Sequence, residues 1–191
     1  MSMKEKTRAL AAYHVAGARM GEAADFSALV ALFDARLRAH ARRLCDDGET
    51  ARDIAQEAWI AIGRGLGGLR DDHAFLPWAL RITTRLAARD LGRRIRQREA
   101  VQGFGESLMP EAADPAGPGT VAGTETGDLH AAIAALPAPQ RAALALFYLE
   151  EMSVAEVAMA LDIPPGTVKT RLMTARNRLR ALLEGQNHGQ A

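Results

Sequence analysis

Arg81, Arg85, Arg89 and Arg93 recur every fourth residue, and Arg96 follows three further on. On a helix this spacing lays guanidinium groups in a row that drifts slowly around one side. Asp90 is the one acid that interrupts the row, a pattern that suits contact with a phosphate backbone. Trp78 and Ile82 project on the same side. An aromatic there can stack on an unpaired base, although a tryptophan is more often part of a core. A second cationic stretch carries Lys169, Arg171, Arg176, Arg178 and Arg180, with no acid between Thr167 and Ala181. Opposite its apolar positions stand Thr170, Met173, Thr174 and Asn177, small enough at the apex to reach base edges while the flanking cations meet phosphates. A third group has the opposite character: Asp53, Gln56, Glu57 and Ile60 share one helical face. An isoleucine ringed by carboxylates and an amide suits a protein-binding strip, or is an incidental apolar residue on a solvated helix.

Bond-breaking chemistry finds no residues to carry it. His14, His40, His73, His130 and His188 are scattered, serine is scarce, and no glycine-rich loop precedes a phosphate-binding lysine. No catalytic set, metal site or cofactor is expected. Cys45 is the single cysteine, which rules out an internal disulfide and fits a reducing compartment. No apolar run approaches the 18 or so residues of a spanning helix, and Tyr13, His14 and Gly17 spoil the N-terminal stretch as an export signal. A cytoplasmic protein without membrane insertion is the expectation.

The 191 residues carry 24 Lys+Arg and 23 Asp+Glu, a net charge of +1 that argues against a polyanionic partner only until it is divided. Residues 36–98 are net +6, residues 99–151 net −7 and residues 152–191 net +2. Two basic blocks flank an acidic one, which speaks to partners more than to fold, although solvated helix faces also carry charge runs.

The elements that must position these groups are helices. Aromatics make up only 5% of the chain, and Ala and Leu fill much of the apolar fraction. Leu29, Leu32, Phe33 and Leu37 mark a first core face, with Leu44 extending it. A second helix from about 50 to 62 turns Ala51, Ala55, Ala58 and Ile62 inward. A third, from about 74 or 77 to 98, packs Leu80, Ala87 and Leu91 opposite its arginine row. Residues 103–127 are rich in Gly and Pro and poor in large apolar residues, so they read as a linker. Beyond it, Ser153-Val-Ala-Glu156 forms a capping box that opens a helix with Val154, Val157, Ala158 and Leu161 on one face. Asp162-Ile-Pro-Pro-Gly166 stops that helix, and Thr167 is expected to cap the next, whose inward positions are Val168, Leu172, Ala175, Leu179 and Leu182. Helix, short turn, helix is the arrangement whose second helix enters a major groove, with a basic helical hairpin as the plainer alternative.

The fold class is therefore all-α, with two small helical domains joined by a flexible acidic linker. The boundaries are an N-terminal extension at 1–24, a helical domain at 25–98, the linker at 99–127, a helix-turn-helix domain at 128–185 and a tail at 186–191.

At this point the residues resemble a known family. Leu136-Pro-Ala-Pro-Gln-Arg141, Glu156-Val-Ala and Gly166-Thr-Val-Lys-Thr-Arg-Leu172, followed by Ala175-Arg176 and Leu179-Arg180, resemble region 4 of bacterial RNA polymerase sigma factors, nearest the extracytoplasmic-function (ECF) type. Ala51-Arg-Asp-Ile-Ala-Gln-Glu57 resembles region 2.2. Phe75-Leu-Pro-Trp-Ala-Leu-Arg-Ile82, with Asp90-Leu-Gly-Arg-Arg94, resembles regions 2.3 and 2.4.

The resemblance implies a subunit that joins RNA polymerase core and directs promoter-specific initiation. Asp53, Gln56, Glu57 and Ile60 would bind the β′ coiled coil. Trp78, Arg81, Arg85, Arg89, Arg93 and Arg96 would serve −10 recognition and melting. Thr167, Lys169, Thr170, Arg171, Thr174, Arg176 and Arg178 would serve the −35 element, the same domain also touching the β flap. Promoter DNA and polymerase core are the implied partners. An anti-sigma factor is common in the family, and no residue here identifies one. Two departures stand out: Asp162 where members usually have Gly, and Arg85 where they often have Asn.

Response-regulator output domains share part of the C-terminal pattern, and a stand-alone helix-turn-helix regulator is the alternative function. It needs neither the Asp53/Gln56/Glu57/Ile60 strip nor the arginine row. The linker acids Glu99, Glu106, Glu111, Asp114, Glu125 and Asp128 either keep the connector soluble or, in the free protein, fold back on the basic domains and discourage premature DNA binding.

Overall fold

A computed structural model of the chain describes residues 3–45, 47–102 and 125–187, and within them the regular structure is helical throughout. The helices are α1 (Met3–Arg19), α2 (Ala23–Leu44), α3 (Gly48–Gly65), α4 (Phe75–Gln102), α5 (Glu125–Ala134), α6 (Ala138–Tyr148), α7 (Val154–Leu161) and α8 (Pro165–Asn187), with two single 3-10 turns between α3 and α4. The expected connector falls mostly outside the described residues, so its flexibility and any fold-back of its acids do too.

Helices α3 and α7 start where a side chain satisfies their first amides. The Asp47 carboxylate accepts from the amides of Glu49 (3.2 Å) and Thr50 (2.8 Å) at the head of α3. These bonds, with the Thr50 hydroxyl foremost, hold the Asp47 carboxyl at about 2, well below the usual carboxylate range. The expected capping box opens α7: the Ser153 amide donates to Glu156 Oε2 (2.8 Å), and the Glu156 amide donates to Ser153 Oγ (3.3 Å). Helix α8 departs from expectation by starting at Pro165, so Thr167 lies inside its first turn. The first-turn amides of a helix lack intrahelical partners, so Pro165 costs nothing there, and the Val168 amide already bonds Pro164 O at 3.2 Å. Pro77 is accommodated in the first turn of α4 for the same reason.

The N-terminal bundle packs Leu29, Phe33 and Leu37 of α2 against Ala58 and Ile62 of α3 and Phe75, Ala79 and Leu80 of α4. Phe33 and Phe75 meet with ring centroids 5.3 Å apart, and Trp59 Nε1 donates to Asp34 Oδ1 at 3.0 Å. Segment 1–24, set apart as an extension, supplies α1, whose Ala11 and Val15 are buried in this core. In the C-terminal half, Ala142, Ala143 and Leu146 of α6, Val157, Ala160 and Leu161 of α7, and Val168 and Leu172 of α8 pack around Met152.

These two sets form one continuous apolar cluster, because α7 lies on α4 and α6 reaches α2. Two inward assignments are corrected by the periodicity running past the core: Leu91 is 57% exposed and Leu182 is 39% exposed. Both sit on the distal parts of long helices, beyond the neighbours that would cover them.

Candidate nucleic-acid interface

Helix α3 presents its outer face as the sequence predicts. Ala51, Ala55, Ala58 and Ile62 are buried, which forces Asp53, Gln56, Glu57 and Ile60 outward, and Ile60 is 51% exposed. The strip abuts the arginine row of the next helix: Glu57 Oε1 accepts from Arg89 Nη2 at 2.8 Å. A carboxylate of one candidate surface thus neutralises a guanidinium of the other.

Along α4 the row faces outward while Phe75, Ala79, Leu80 and Ala87 face the core. Trp78 is half-buried, its ring 6.2 Å from Phe75 and lying against Gly65, where a Cβ would stand 3.3 Å from the indole. It is both a wall of the core and a partly open edge. The guanidinium groups are not an open cationic strip. Arg93 Nη2 donates to Asp90 Oδ1 (2.7 Å) and Arg94 Nε to Asp90 Oδ2 (2.7 Å). These bonds, that from Arg93 foremost, hold the Asp90 carboxyl below its ordinary value. Arg81 and Arg85 turn instead to Asp162, in the turn of the helix-turn-helix. Arg96 is exposed.

On α8, Val168, Leu172 and Ala175 are buried, and Lys169, Thr170, Arg176 and Arg178 are exposed, with Thr167, Arg171 and Thr174 partly so. Thr170 Oγ1 donates to Gly166 O at 3.1 Å, which leaves its oxygen lone pairs outward. Arg176 Nε donates to Leu172 O (3.2 Å), and Arg178 Nη1 approaches Gln140 Oε1 of α6 (3.5 Å). The acid-free outer face is intact, and α7 separates α8 from α4.

Sequence reasoning missed the polar thread that joins the two halves. The buried His40 of α2 places Nε2 2.9 Å from Thr84 Oγ1 of α4, and that hydroxyl reaches Ala160 O of α7 at 2.6 Å. The hydroxyl has one proton and gives it to the nearer carbonyl, so it accepts from His40 Nε2–H. The other ring nitrogen, Nδ1, is buried without a partner among the described residues. Burial, with the adjacent Arg43 charge, pushes the imidazole down from 6.5 to about 3. The spacing of Leu29, Phe33, Leu37 and His40 puts this histidine on the core stripe, the one signal that could have flagged it.

Residues 29–98 match the family model described as sigma-70 region 2, and residues 126–179 match sigma-70 region 4. The chain is 33% identical over 180 residues to the ECF RNA polymerase sigma factor SigM of Mycobacterium tuberculosis, covering 94% of this chain and 86% of that protein. It is 29% identical over 172 residues to the RNA polymerase sigma-H factor of Pseudomonas aeruginosa, covering 86% and 89% respectively. Among solved structures, the sigma factor RpoE bound to the anti-sigma factor NepR, from Bartonella quintana, superposes with a TM-score of 0.65 at 25% identity, covering 84% of this chain and 97% of that one.

Proposed function

This chain belongs to the extracytoplasmic-function family of RNA polymerase sigma factors, and from that premise we propose which of its surfaces meets the polymerase and which meets each promoter element. The α3 strip of Asp53, Gln56, Glu57 and Ile60 docks on polymerase core at the β′ coiled coil. Fixed carboxylates facing a basic partner give specificity and rapid encounter, and Ile60 supplies a small desolvated centre. Helix α8 lies in the major groove of the −35 element: Lys169, Arg171, Arg176 and Arg178 hold phosphates, while Thr167, Thr170 and Thr174 approach base edges. The α4 row of Arg81, Arg85, Arg89, Arg93 and Arg96 tracks the backbone at −10. The open edge of Trp78 offers a flipped or unpaired base a stacking surface there.

The observation that carries this reading is that one chain combines three outer faces of different composition. One chain presents an acid-free helix-turn-helix face, an arginine row on a different helix, and an acidic strip with an apolar centre on a third. A stand-alone regulator needs only the first of these. In this reading the chain makes and breaks no bonds itself; it orients the polymerase that does, in the cytoplasm. An anti-sigma factor is a fitting further partner, as the Bartonella structure holds one bound to its sigma factor.

Co-purification with polymerase core, followed by transcription from a promoter library with purified core, tests the proposal. Wild-type protein should yield initiation confined to a subset of promoters sharing −35 and −10 sequences. Asp53→Arg should weaken core binding by about tenfold, the scale of a reversed charge at a partner surface. A chain that binds operator DNA but neither retains core nor supports initiation would overturn it.

A further inference from the structure

The first two arginines of the α4 row converge on a single carboxylate. Arg81 Nε and Nη2 lie 2.8 and 2.7 Å from Asp162 Oδ1, and Arg85 Nε lies 2.9 Å from Oδ2. Each oxygen takes one guanidinium, the pattern by which two arginines hold a phosphate. Thr84, on the same face of that turn, donates to Ala160 O at 2.6 Å, so residues 81, 84 and 85 together grip the end of α7.

Asp162 can present its carboxylate there because its backbone is left-handed (φ 55°, ψ 45°), which ends α7 and swings the side chain away from the helix axis. Glycine meets that conformation without steric cost but brings no charge. An acid at this corner therefore accepts a small backbone penalty and gains two cationic partners.

We propose that the Asp162 carboxylate is an intramolecular stand-in for a promoter phosphate: it fills the Arg81/Arg85 subsite in the free chain and latches the helix-turn-helix half onto α4. The subsite accepts DNA only when the carboxylate leaves it. This rests on the assignment of Arg81 and Arg85 to DNA in the proposed function.

Geometry requires such a release. Elements centred near −35 and −10 lie about 25 base pairs apart, which is about 85 Å along the duplex at 3.4 Å per pair. A compact chain of this length has a radius of gyration of only about 16 Å. The closed form therefore cannot place α8 and α4 on both elements together.

The strength of the latch suits release. Both arginines and Asp162 remain partly exposed, so the pairs are screened by salt and yield to a polyanion that brings many phosphates at once. Arg8–Glu156 and Arg36–Glu150 are further ion pairs across the same seam. Between α1, α2 and the loop after α6, the seam leaves a cleft of about 180 Å³, so the two halves are not complementary along its whole length.

The test uses the full chain with Asp162→Asn, which keeps a residue tolerant of the left-handed backbone and removes the charge. Dyes at Tyr13→Cys and Arg180→Cys, in a Cys45→Ser background, report the separation of the halves by energy transfer. Binding of a labelled −10 DNA is measured on the same proteins without polymerase. The variant should show a longer mean separation at low salt and bind that DNA about three- to tenfold more tightly, and the difference from wild type should shrink as salt rises. An unchanged separation overturns the latch, whatever the DNA result. A longer separation with unchanged affinity overturns the stand-in through its premise, because Arg81 and Arg85 then hold no phosphate. Core-dependent transcription by the same variant reports separately on the proposed function.

Discussion

Mild acid should loosen this protein through His40. The imidazole is fully buried, its Nδ1 has no partner among the described residues, and it is held neutral with a pKa of about 3 against an ordinary 6.5. A second ring proton would have no acceptor and would add a charge beside Arg43. Because the folded pKa lies below the unfolded one, the stabilising contribution is complete above pH 6.5 and is lost as pH falls from there toward about 3. Going from about pH 7 to about pH 5, the unfolded imidazole gains its proton while the folded one stays neutral, a linkage cost of roughly 2 kcal/mol. Urea denaturation followed by circular dichroism at those two pH values measures it. His40→Gln supplies the control: its amide can still donate to Thr84 Oγ1 and cannot titrate. The variant should lose most of the pH dependence while keeping a similar stability at the lower pH. A wild-type chain equally stable at both values, or a His40→Gln variant with the same dependence, would refute the account of a neutral, Nε2-protonated histidine.

Two further outcomes follow from the sites. Asp47, held at about 2, stabilises α3 above its ordinary carboxylate pKa, and that contribution fades as pH falls from about 4 to about 2. Asp47→Asn retains a capping oxygen without the titration, so its stability deficit in thermal unfolding should be present near neutrality and vanish toward about pH 2. Lys169→Ala and Arg171→Ala should each weaken −35 DNA binding and lower the slope of log affinity against log salt by about 0.9, the signature of one lost phosphate contact. An unchanged slope in a direct salt titration of both variants would remove α8 from the phosphate backbone.

Helices α2, α3, α4, α7 and α8, the capping box at Ser153 and Glu156, the inward stripe of Val168, Leu172 and Ala175, and the outward Asp53/Gln56/Glu57/Ile60 face were legible because each depends on residues within a few turns, whereas α1, α5 and α6 were not read as helices. Local periodicity sorts apolar from polar faces wherever one side of a helix is covered. It fails where the cover ends, as at Leu91 and Leu182, because nothing in a helix's own sequence records how far its neighbours extend. It also misplaced the start of α8, since a proline that breaks a helix and a proline that begins one look alike until the turn before it is seen.

Charge divided the same way. Residue order is enough to show that two basic segments flank an acidic one, that the arginines of 81–96 fall in a row, and that an acid occupies the helix-turn-helix corner at 162. Where that row points its charge depends on packing. Glu57, Asp90 and Asp162 arrive from the adjacent helix, from the row's own helix and from the far half of the chain. An ion pair depends on distances of a few ångströms, and the last of these is set by α7 settling on α4, between residues some eighty positions apart in sequence. The sequence determines which groups could meet a phosphate; the packing of one half on the other decides that, in the free chain, an aspartate meets two of them first.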